Sequence, residues 1–159
     1  GPRALGHRSI LYHTGDSRVN DWLNKRLHRS EFMPFAPAVL AEHAQDCFED
    51  YGPGVVDTAR YMTITLRCSV NMMRHSPAVV HVDGTARPQV VHEEGDPSYY
   101  RVLRLVHEKT GTPAIVNTSF NLHGEPIVGS PEDAIRSFLE GHLDVLAIGN
   151  FIVEQDVVG

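Results

Sequence analysis

The sequence predicts an α/β (α+β) domain in which helices flank a twisted sheet of mixed strand direction. Apolar residues follow helical spacing in three segments, and they alternate or cluster in short runs in several others. The two kinds of segment are mixed along the chain without strict alternation, which favours a sheet of mixed direction. We predict one domain over residues 1–159, because this length and a hydrophobic content of 42% allow one sizeable core.

The first half of the chain is predicted to contain one clear helix, one brief helix and two strands. Asp16 is a candidate N-cap for a helix over residues 17–28, where apolar side chains recur at helical spacing. A short apolar run predicts a buried strand over residues 35–40, and residues 42–48 suit a brief helix. Polar and apolar side chains alternate over residues 61–68, which predicts the second strand.

The second half is predicted to contain two capped helices. Asp96 and Pro97 begin the first, which ends at Gly111, and Ser130 begins the second, which ends at Gly141. The apolar face predicted for the first helix consists of Tyr99, Val102, Leu103 and Val106. The residues that the second helix is predicted to bury are Ile135, Phe138 and Leu139.

Five further strands complete the predicted elements. Residues 79–82 and 87–91 are joined through Asp83 and Gly84, a strong turn signal. Pro88 puts the later of these two strands near an edge or at a bulge, because proline cannot donate to a strand ladder. The other three strands are predicted over residues 114–116, 145–148 and 151–153.

The composition argues against several classes of protein. No run of about 18 apolar residues is present, so no membrane span is predicted. The two cysteines form no CxxC pair, which predicts reduced thiols in the cytoplasm. The net charge is −6, yet residues 1–29 hold six basic and two acidic side chains, so we expect a small-anion pocket rather than general nucleic-acid binding. The alternative interpretation is that these cations form a solvated helix face.

Arginines mark the first two polar segments of interest. Arg3 and Arg8 flank small residues, and a guanidinium suits bidentate contact with phosphate or carboxylate oxygens. A plain surface loop is the alternative for this segment. Arg26, His28 and Arg29 crowd the end of the first predicted helix, where the macrodipole favours cations. The same three residues would equally suit an anion site at the junction of helix and strand.

Two later segments place polar side chains at the ends of predicted strands. Alternation puts Thr85, Arg87 and Gln89 on one strand face, which is either solvated or lines a cleft. Asn117 and Ser119 follow a buried strand, a position where ligands bind at the carboxyl ends of sheet strands. The Asn117 amide offers donors and an acceptor that suit a carbamoyl group or a nucleobase, and Ser119 can bond a phosphate oxygen.

Other chemistries are not indicated by the sequence. The ten histidines form no HxxxH or HxH pattern, and two cysteines supply no zinc set, so no metal site is predicted. No P-loop, GxGxxG or GxSxG motif is present. A bound nucleotide would therefore be held by arginines and strand-end amides.

Five long motifs resemble the C-terminal region of the large O-carbamoyltransferases of nodulation and antibiotic biosynthesis. The motifs are GPRALGHRS, NKRLHRSEFMPFAPAVL, HVDGTARPQ, NTSFNLHGEPIV and SPEDAIRSFL. The resemblance implies a YrdC-like domain that joins carbamoyl phosphate to ATP, giving carbamoyladenylate and pyrophosphate with Mg²⁺ present. It also implies a kinase-like N-terminal domain, outside this chain, that carries an iron site and transfers the carbamoyl group to a hydroxyl acceptor.

The resemblance also implies roles for individual residues. Arg87, Asn117 and Ser119 would line the carbamoyladenylate pocket as catalytic residues. The implied substrate-binding residues are Arg3, Arg8, His28, Arg29, Thr85, Thr118 and Asn121. Many members of the family place a lysine near the position of His28 or Arg29, and this chain departs from that pattern.

The expected partners are carbamoyl phosphate, ATP and the N-terminal domain of a cytoplasmic enzyme, with no membrane and no nucleic acid; homodimer formation stays open. Because the chain starts abruptly at Gly1, we expect a fragment of a two-domain enzyme that does not carbamoylate a final acceptor alone. Two alternatives remain at this point. One is a nucleic-acid-binding YrdC-like module, and the other is a non-catalytic domain that supports its partner domain.

Overall fold

The computed structural model describes residues 3–28 and 35–155, and its centre is a sheet of four strands. In spatial order the strands are β1 (Ser9–His13), β6 (Ala114–Ser119), β2 (Ala36–Leu40) and β5 (Gln89–Val91). β6 is antiparallel to both of its neighbours, whereas β2 and β5 are parallel. The predicted mixed α/β sheet with flanking helices is therefore confirmed.

The remaining elements are short, apart from two helices. The helices are α1 (Val19–Arg26), α2 (Ala44–Cys47), α3 (Val56–Ala59), α4 (Val70–His75), α5 (Pro97–Thr110) and α6 (Pro131–Glu140). Single 3₁₀ turns occupy Ala41–His43 and Pro77–Val79. Two small antiparallel sheets pair β3 (Leu66–Arg67) with β4 (Thr85–Ala86) and β7 (Val145–Ile148) with β8 (Phe151–Glu154).

The two long helices begin and end as the sequence predicts. The Asp96 side chain caps α5 by accepting a hydrogen bond from the Tyr99 backbone N–H at 3.1 Å. α5 ends at Gly111, which has a left-handed φ of 71° that glycine adopts without steric cost. Ser130 caps α6 by accepting from the Asp133 N–H at 3.2 Å. These polar caps fix where each helix meets the rest of the domain.

Helix α5 covers one face of the central sheet and leaves part of that face to polar side chains. Tyr99 and Leu103 pack against Ala38, Leu40, Val91 and Ile115. Ala38 is the register partner of both Ile115 and Gln89, and Ala36 is the partner of Asn117. Since register partners and alternate residues share a face, Gln89 and Asn117 lie on the face that α5 covers. The opposite face packs into the main core of the domain.

Helix α6 buries a different face from the one predicted. Phe138 is buried, but Ile135 and Leu139 are 48% and 53% exposed, so the prediction was wrong for these two residues. The small residues Ala134 and Ser137 are buried beside Phe138 instead, because they let the helix approach the core closely. On α5, Tyr99 and Leu103 are buried as predicted, whereas Val102 is exposed.

Three predicted strands are shorter than expected or absent. Only Leu66–Arg67 of the predicted strand 61–68 forms a ladder, and Met62 has a left-handed φ of 55° that an extended strand does not adopt. The predicted strand 79–82 is wrong, because the chain there leaves a 3₁₀ turn and enters a tight turn at Gly84. The predicted strand 87–91 begins only at Gln89, after Pro88, which lacks an N–H to donate.

The split at Pro88 corrects a further expectation. Thr85, Arg87 and Gln89 do not share one strand face, because Thr85 belongs to β4 and Gln89 belongs to β5 of the central sheet. Strand β1 and helix α4 were not predicted from the sequence. No helix in residues 3–28 and 35–155 combines the length and the apolar character needed to traverse a bilayer.

The two cysteines lie in the main core and form no disulfide. Burial raises the pKa of Cys47 to about 12 and that of Cys68 to about 11. Both thiols are therefore protonated at neutral pH, and they serve as small apolar side chains.

Candidate functional site

The arginine-bearing N-terminal segment, residues 3–9, lies across the end of strand β6. Ser9 and Ser119 are register partners, and the Phe120 N–H donates to the Arg8 carbonyl at 2.9 Å. Gly6 has a φ of 96°, and a Cβ added there would lie 2.6 Å from the Tyr99 ring. The segment therefore passes closely over the first turn of α5, which only glycine allows. This brings the polar residues at the start of the chain to those that follow β6.

A chain of two buried amides connects β6, β5 and this segment. The Asn117 Nδ2 atom donates to the Gln89 Oε1 atom at 2.6 Å, and the Gln89 Nε2 atom donates to the Leu5 carbonyl at 3.2 Å. Asn117 and Gln89 are 2% and 5% exposed. The Asn117 Oδ1 atom is also buried, and it has no hydrogen-bond partner among the described residues. A buried acceptor without a partner is costly, so this atom is a candidate ligand contact.

Arg87 and Arg3 supply positive charge at the same site. The Arg87 Nε atom is buried and lacks a hydrogen-bond partner within residues 3–28 and 35–155. Burial lowers the pKa of Arg87, and the nearby positive charge of Arg3 lowers it further. Two cations that approach each other repel, and a bound anion relieves that repulsion.

Arg8 and Asn121 hold the loop that follows β6. The Arg8 Nη1 atom donates to the Val128 carbonyl at 3.0 Å. The Asn121 Nδ2 atom donates to the carbonyls of Leu122 and Glu125, while its Oδ1 atom is buried without a partner in the described part of the chain. The contacts tie residues 120–128 to the N-terminal segment. A role in substrate binding remains a prediction for both side chains.

Thr85 and Thr118 have different surroundings from Arg87 and Asn117. The Thr85 hydroxyl donates to the Asp83 carboxylate at 2.7 Å and contacts the His81 Nδ1 atom at 3.0 Å, so it stabilises the turn before β4. Hydrogen bonds from Thr85 lower the pKa of Asp83. Thr118 lies on the face of β6 opposite to Asn117, because neighbouring residues of a strand alternate.

His28 lies just beyond α1 with a left-handed φ of 56°, and Arg29 lies outside the described residues. The end of α1 is close to the loop after β6, since the His123 N–H donates to the Leu27 carbonyl at 3.0 Å. Sequence motifs separated along the chain therefore meet at this side of the sheet. The structure brings Arg3, Arg87, Asn117 and Ser119 to the end of β6. Thr85 instead stabilises a turn.

A second polar contact joins the N-terminal segment to α5. The His7 Nε2 atom lies 2.6 Å from the Asp96 Oδ2 atom. Burial raises the pKa of Asp96, but hydrogen bonds from the Tyr99 N–H, His7 and Ser98 outweigh it, so the net pKa is lowered. A cavity of about 190 Å³ adjoins this contact and the amide chain, and its walls include Leu5, Gln89 and His92. In the described part of the chain, no three His, Cys, Asp or Glu side chains gather as metal ligands.

Comparison with known proteins identifies the family. The sequence profile described as "Carbamoyltransferase C-terminus" matches residues 1–155. The chain belongs to this carbamoyltransferase C-terminal family. The family resemblance inferred from the motifs is therefore confirmed.

Relatives of this carbamoyltransferase C-terminal domain are longer proteins. An uncharacterized protein of Methanocaldococcus jannaschii is 40% identical over 158 residues, which are 99% of this chain and 25% of that protein. The nodulation protein NolO of Bradyrhizobium diazoefficiens is 39% identical over 156 residues, which are 98% of this chain and 28% of that protein. The chain thus spans about a quarter of the length of the curated relatives it matches.

The fold of the carbamoyltransferase C-terminal domain also occurs in a solved structure. The crystal structure of T. kodakarensis HypF matches it with a TM-score of 0.56 at 19% identity, over 84% of this chain and 17% of that chain. At this identity the likeness concerns the fold.

Sequence reasoning missed several polar contacts of this carbamoyltransferase domain. Gln89, His7, Asp96 and the Leu5 carbonyl were not identified as site residues. The one signal in the sequence was the position of Gln89 within the HVDGTARPQ motif, two residues after Arg87. The partners of these residues are distant in the chain, so no local spacing rule reveals them.

The Asp96 contact gives the carbamoyltransferase domain a pH-dependent contribution to stability. We expect Asp96→Asn to keep the helix cap, which Asn makes about as well, while Asp96→Ala lowers the free energy of unfolding by about 0.5–2 kcal/mol. The folded-state pKa of Asp96 is lowered, so its charge stabilises the fold above the unfolded pKa of about 3.9. That contribution is lost as the pH falls through the folded pKa.

Urea unfolding at several pH values measures this effect. The difference in free energy between the original protein and Asp96→Asn should shrink from pH 6 towards acid. A difference that stays constant over that range would show that the Asp96 charge does not act on stability.

Proposed function

We propose that this domain binds carbamoyl phosphate and Mg²⁺–ATP and forms carbamoyladenylate, which a partner domain uses to carbamoylate a hydroxyl group. The proposal rests on Arg87, whose buried Nε atom has no partner among the described residues and which has Arg3 nearby, and on the Asn117 Oδ1 atom at the end of β6, which lacks a partner in the same part of the chain. Arg87 and Arg3 suit anionic oxygens, and the Asn117 Oδ1 atom suits an N–H donor. Carbamoyl phosphate carries both groups.

The proposed chemistry has two steps. Water attacks the phosphorus of carbamoyl phosphate and breaks its bond to the bridging oxygen, which leaves inorganic phosphate and carbamate. A carbamate oxygen then attacks the α-phosphorus of ATP, the bond to the β-phosphate oxygen breaks, and pyrophosphate leaves. Negative charge accumulates on the oxygens around phosphorus in both steps, so fixed guanidinium donors lower the barrier.

The protein contributes position, charge and, once carbamate has formed, exclusion of water. Holding the reactants at one strand end makes the second step effectively intramolecular. Carbamate and its adenylate react with water, so a covered site protects them. The N-terminal segment over Tyr99 provides such a cover in this proposal. Magnesium would arrive with the ATP phosphates, and the iron implied by the resemblance is assigned to the partner domain.

Isotope exchange tests the proposal in the full natural polypeptide that carries these residues. Labelled pyrophosphate should enter ATP only when carbamoyl phosphate is supplied, because the exchange requires reversible adenylate formation. Inorganic phosphate and acetyl phosphate serve as matched additions. Exchange that is equal with and without carbamoyl phosphate, or is absent with it, would contradict the proposed reaction.

A further inference from the structure

The orientation of the Asn117 amide follows from the donors and acceptors of its neighbours, beginning with the Leu5 backbone carbonyl. The Leu5 carbonyl can only accept, so the Gln89 amide must turn its Nε2 atom towards it. The Gln89 Oε1 atom then faces Asn117, which must donate a hydrogen bond to it from the Nδ2 atom. Oxygen and nitrogen of an isolated amide are easily exchanged, but here each assignment follows from the previous one.

As a result, the atom of the Asn117 amide that does not contact Gln89 is Oδ1, which is a hydrogen-bond acceptor. That atom is buried and has no partner among the described residues. Without Gln89, the Asn117 amide could rotate by half a turn and present its NH₂ group instead. Gln89 is itself 5% exposed, so solvent does not compete for its two hydrogen bonds.

We infer that Gln89 is a positioning residue that makes the site select an acyl phosphate bearing an NH₂ group over one bearing a methyl group. This inference rests on the proposed function and names its specificity determinant. The Asn117 Oδ1 atom accepts from the carbamoyl N–H, while Arg87 and Arg3 hold the anionic oxygens. Acetyl phosphate has nearly the same shape but leaves the Oδ1 atom unpaired.

The expected selectivity follows from the cost of that unpaired acceptor. A site built to bond a substrate N–H rejects the analogue that lacks it far better than a site that only senses shape. For one neutral hydrogen bond and one desolvated acceptor, we expect carbamoyl phosphate to bind roughly 10- to 100-fold more tightly than acetyl phosphate.

Calorimetric titration of the full natural polypeptide with fresh carbamoyl phosphate, and separately with acetyl phosphate, tests the inference without requiring turnover. Gln89→Met removes both hydrogen bonds at similar side-chain length. It should weaken carbamoyl phosphate binding about 10-fold while acetyl phosphate binding changes less than about 3-fold. Gln89→Glu is the matched rescue, because its protonated carboxyl keeps both hydrogen bonds and its ionised form keeps the one from the Asn117 Nδ2 atom, so it should retain the preference.

The possible outcomes distinguish the role of Gln89 from the proposed function of the domain. A folded Gln89→Met variant that keeps the original preference overturns the role of Gln89 and leaves the proposed function standing. Loss of preference in Gln89→Glu as well as in Gln89→Met also overturns it, because general damage to the site would then explain both. If the original protein binds neither acyl phosphate, the proposed function and this inference both fall.

Discussion

Replacing Arg87 with Ala is expected to slow carbamoyladenylate formation by roughly 10²–10³-fold, which is the usual loss when one fixed donor to a developing oxyanion is removed. The Arg87 guanidinium is partly buried, its Nε atom has no partner in the described part of the chain, and Arg3 adds a second positive charge nearby. Its contact with substrate oxygens strengthens as charge accumulates in the transition state. The effect should therefore fall on kcat/KM for the exchange of pyrophosphate into ATP.

Two comparisons make the Arg87 result specific. Arg18→Ala is the matched control, because this arginine is 89% exposed and pairs with Asp16 at the surface. The Arg18→Ala protein should exchange pyrophosphate into ATP at the original rate. Ser119→Ala should lose roughly 2- to 10-fold, since a neutral hydroxyl bond contributes about 0.5–1.5 kcal/mol, and Asn117→Ala should fall between Ser119→Ala and Arg87→Ala. An Arg87→Ala protein with an unchanged melting temperature and an unchanged rate would show that the site is misassigned.

Phe138→Ala is expected to lower the free energy of unfolding by about 3–5 kcal/mol, because the ring is 2% exposed and its removal leaves a cavity in the main core. The total stability of a domain this size is about 5–15 kcal/mol, so the loss is a large fraction of it. Denaturant unfolding measures the effect as a lower midpoint with an unchanged slope.

The matched control for Phe138 lies on the same helix. Ile135 is apolar too but 48% exposed, so Ile135→Ala should cost less than about 1 kcal/mol. Equal losses from the two substitutions would mean that α6 faces the core as the sequence pattern predicted, with Ile135 buried.

Features set by short-range interactions could be predicted from the sequence, whereas features set by long-range packing could not. Asp96, Gly111 and Ser130 act on backbone groups within four residues, so the limits of α5 and α6 were predicted. Which face of α6 turns inward depends on what the rest of the core presents. The apolar stripe containing Ile135 and Leu139 was therefore an ambiguous signal.

The candidate site was predictable in its residue types and not in its connections. Arg87, Asn117 and Ser119 came from polar motifs at strand ends and from the family resemblance. The Asn117–Gln89–Leu5 chain joins three elements that are far apart in the sequence, and only the order of strands in the sheet brings them together. Pro88 likewise separated Thr85 from Gln89 in a way that alternation alone could not show.

The pairing of β1 with β6 also bears on how the domain is assembled during synthesis. β1 is synthesised before every other strand of the described sheet, but its only partner there is β6, which follows about 100 residues later. Closing such a long loop is slow, because its entropy is lost before the contacts form. The N-terminal segment can therefore dock on Tyr99 and Gln89 only late in folding. The contacts of Leu5 and Gly6 with Gln89 and Tyr99 therefore belong to the last part of the domain to assemble.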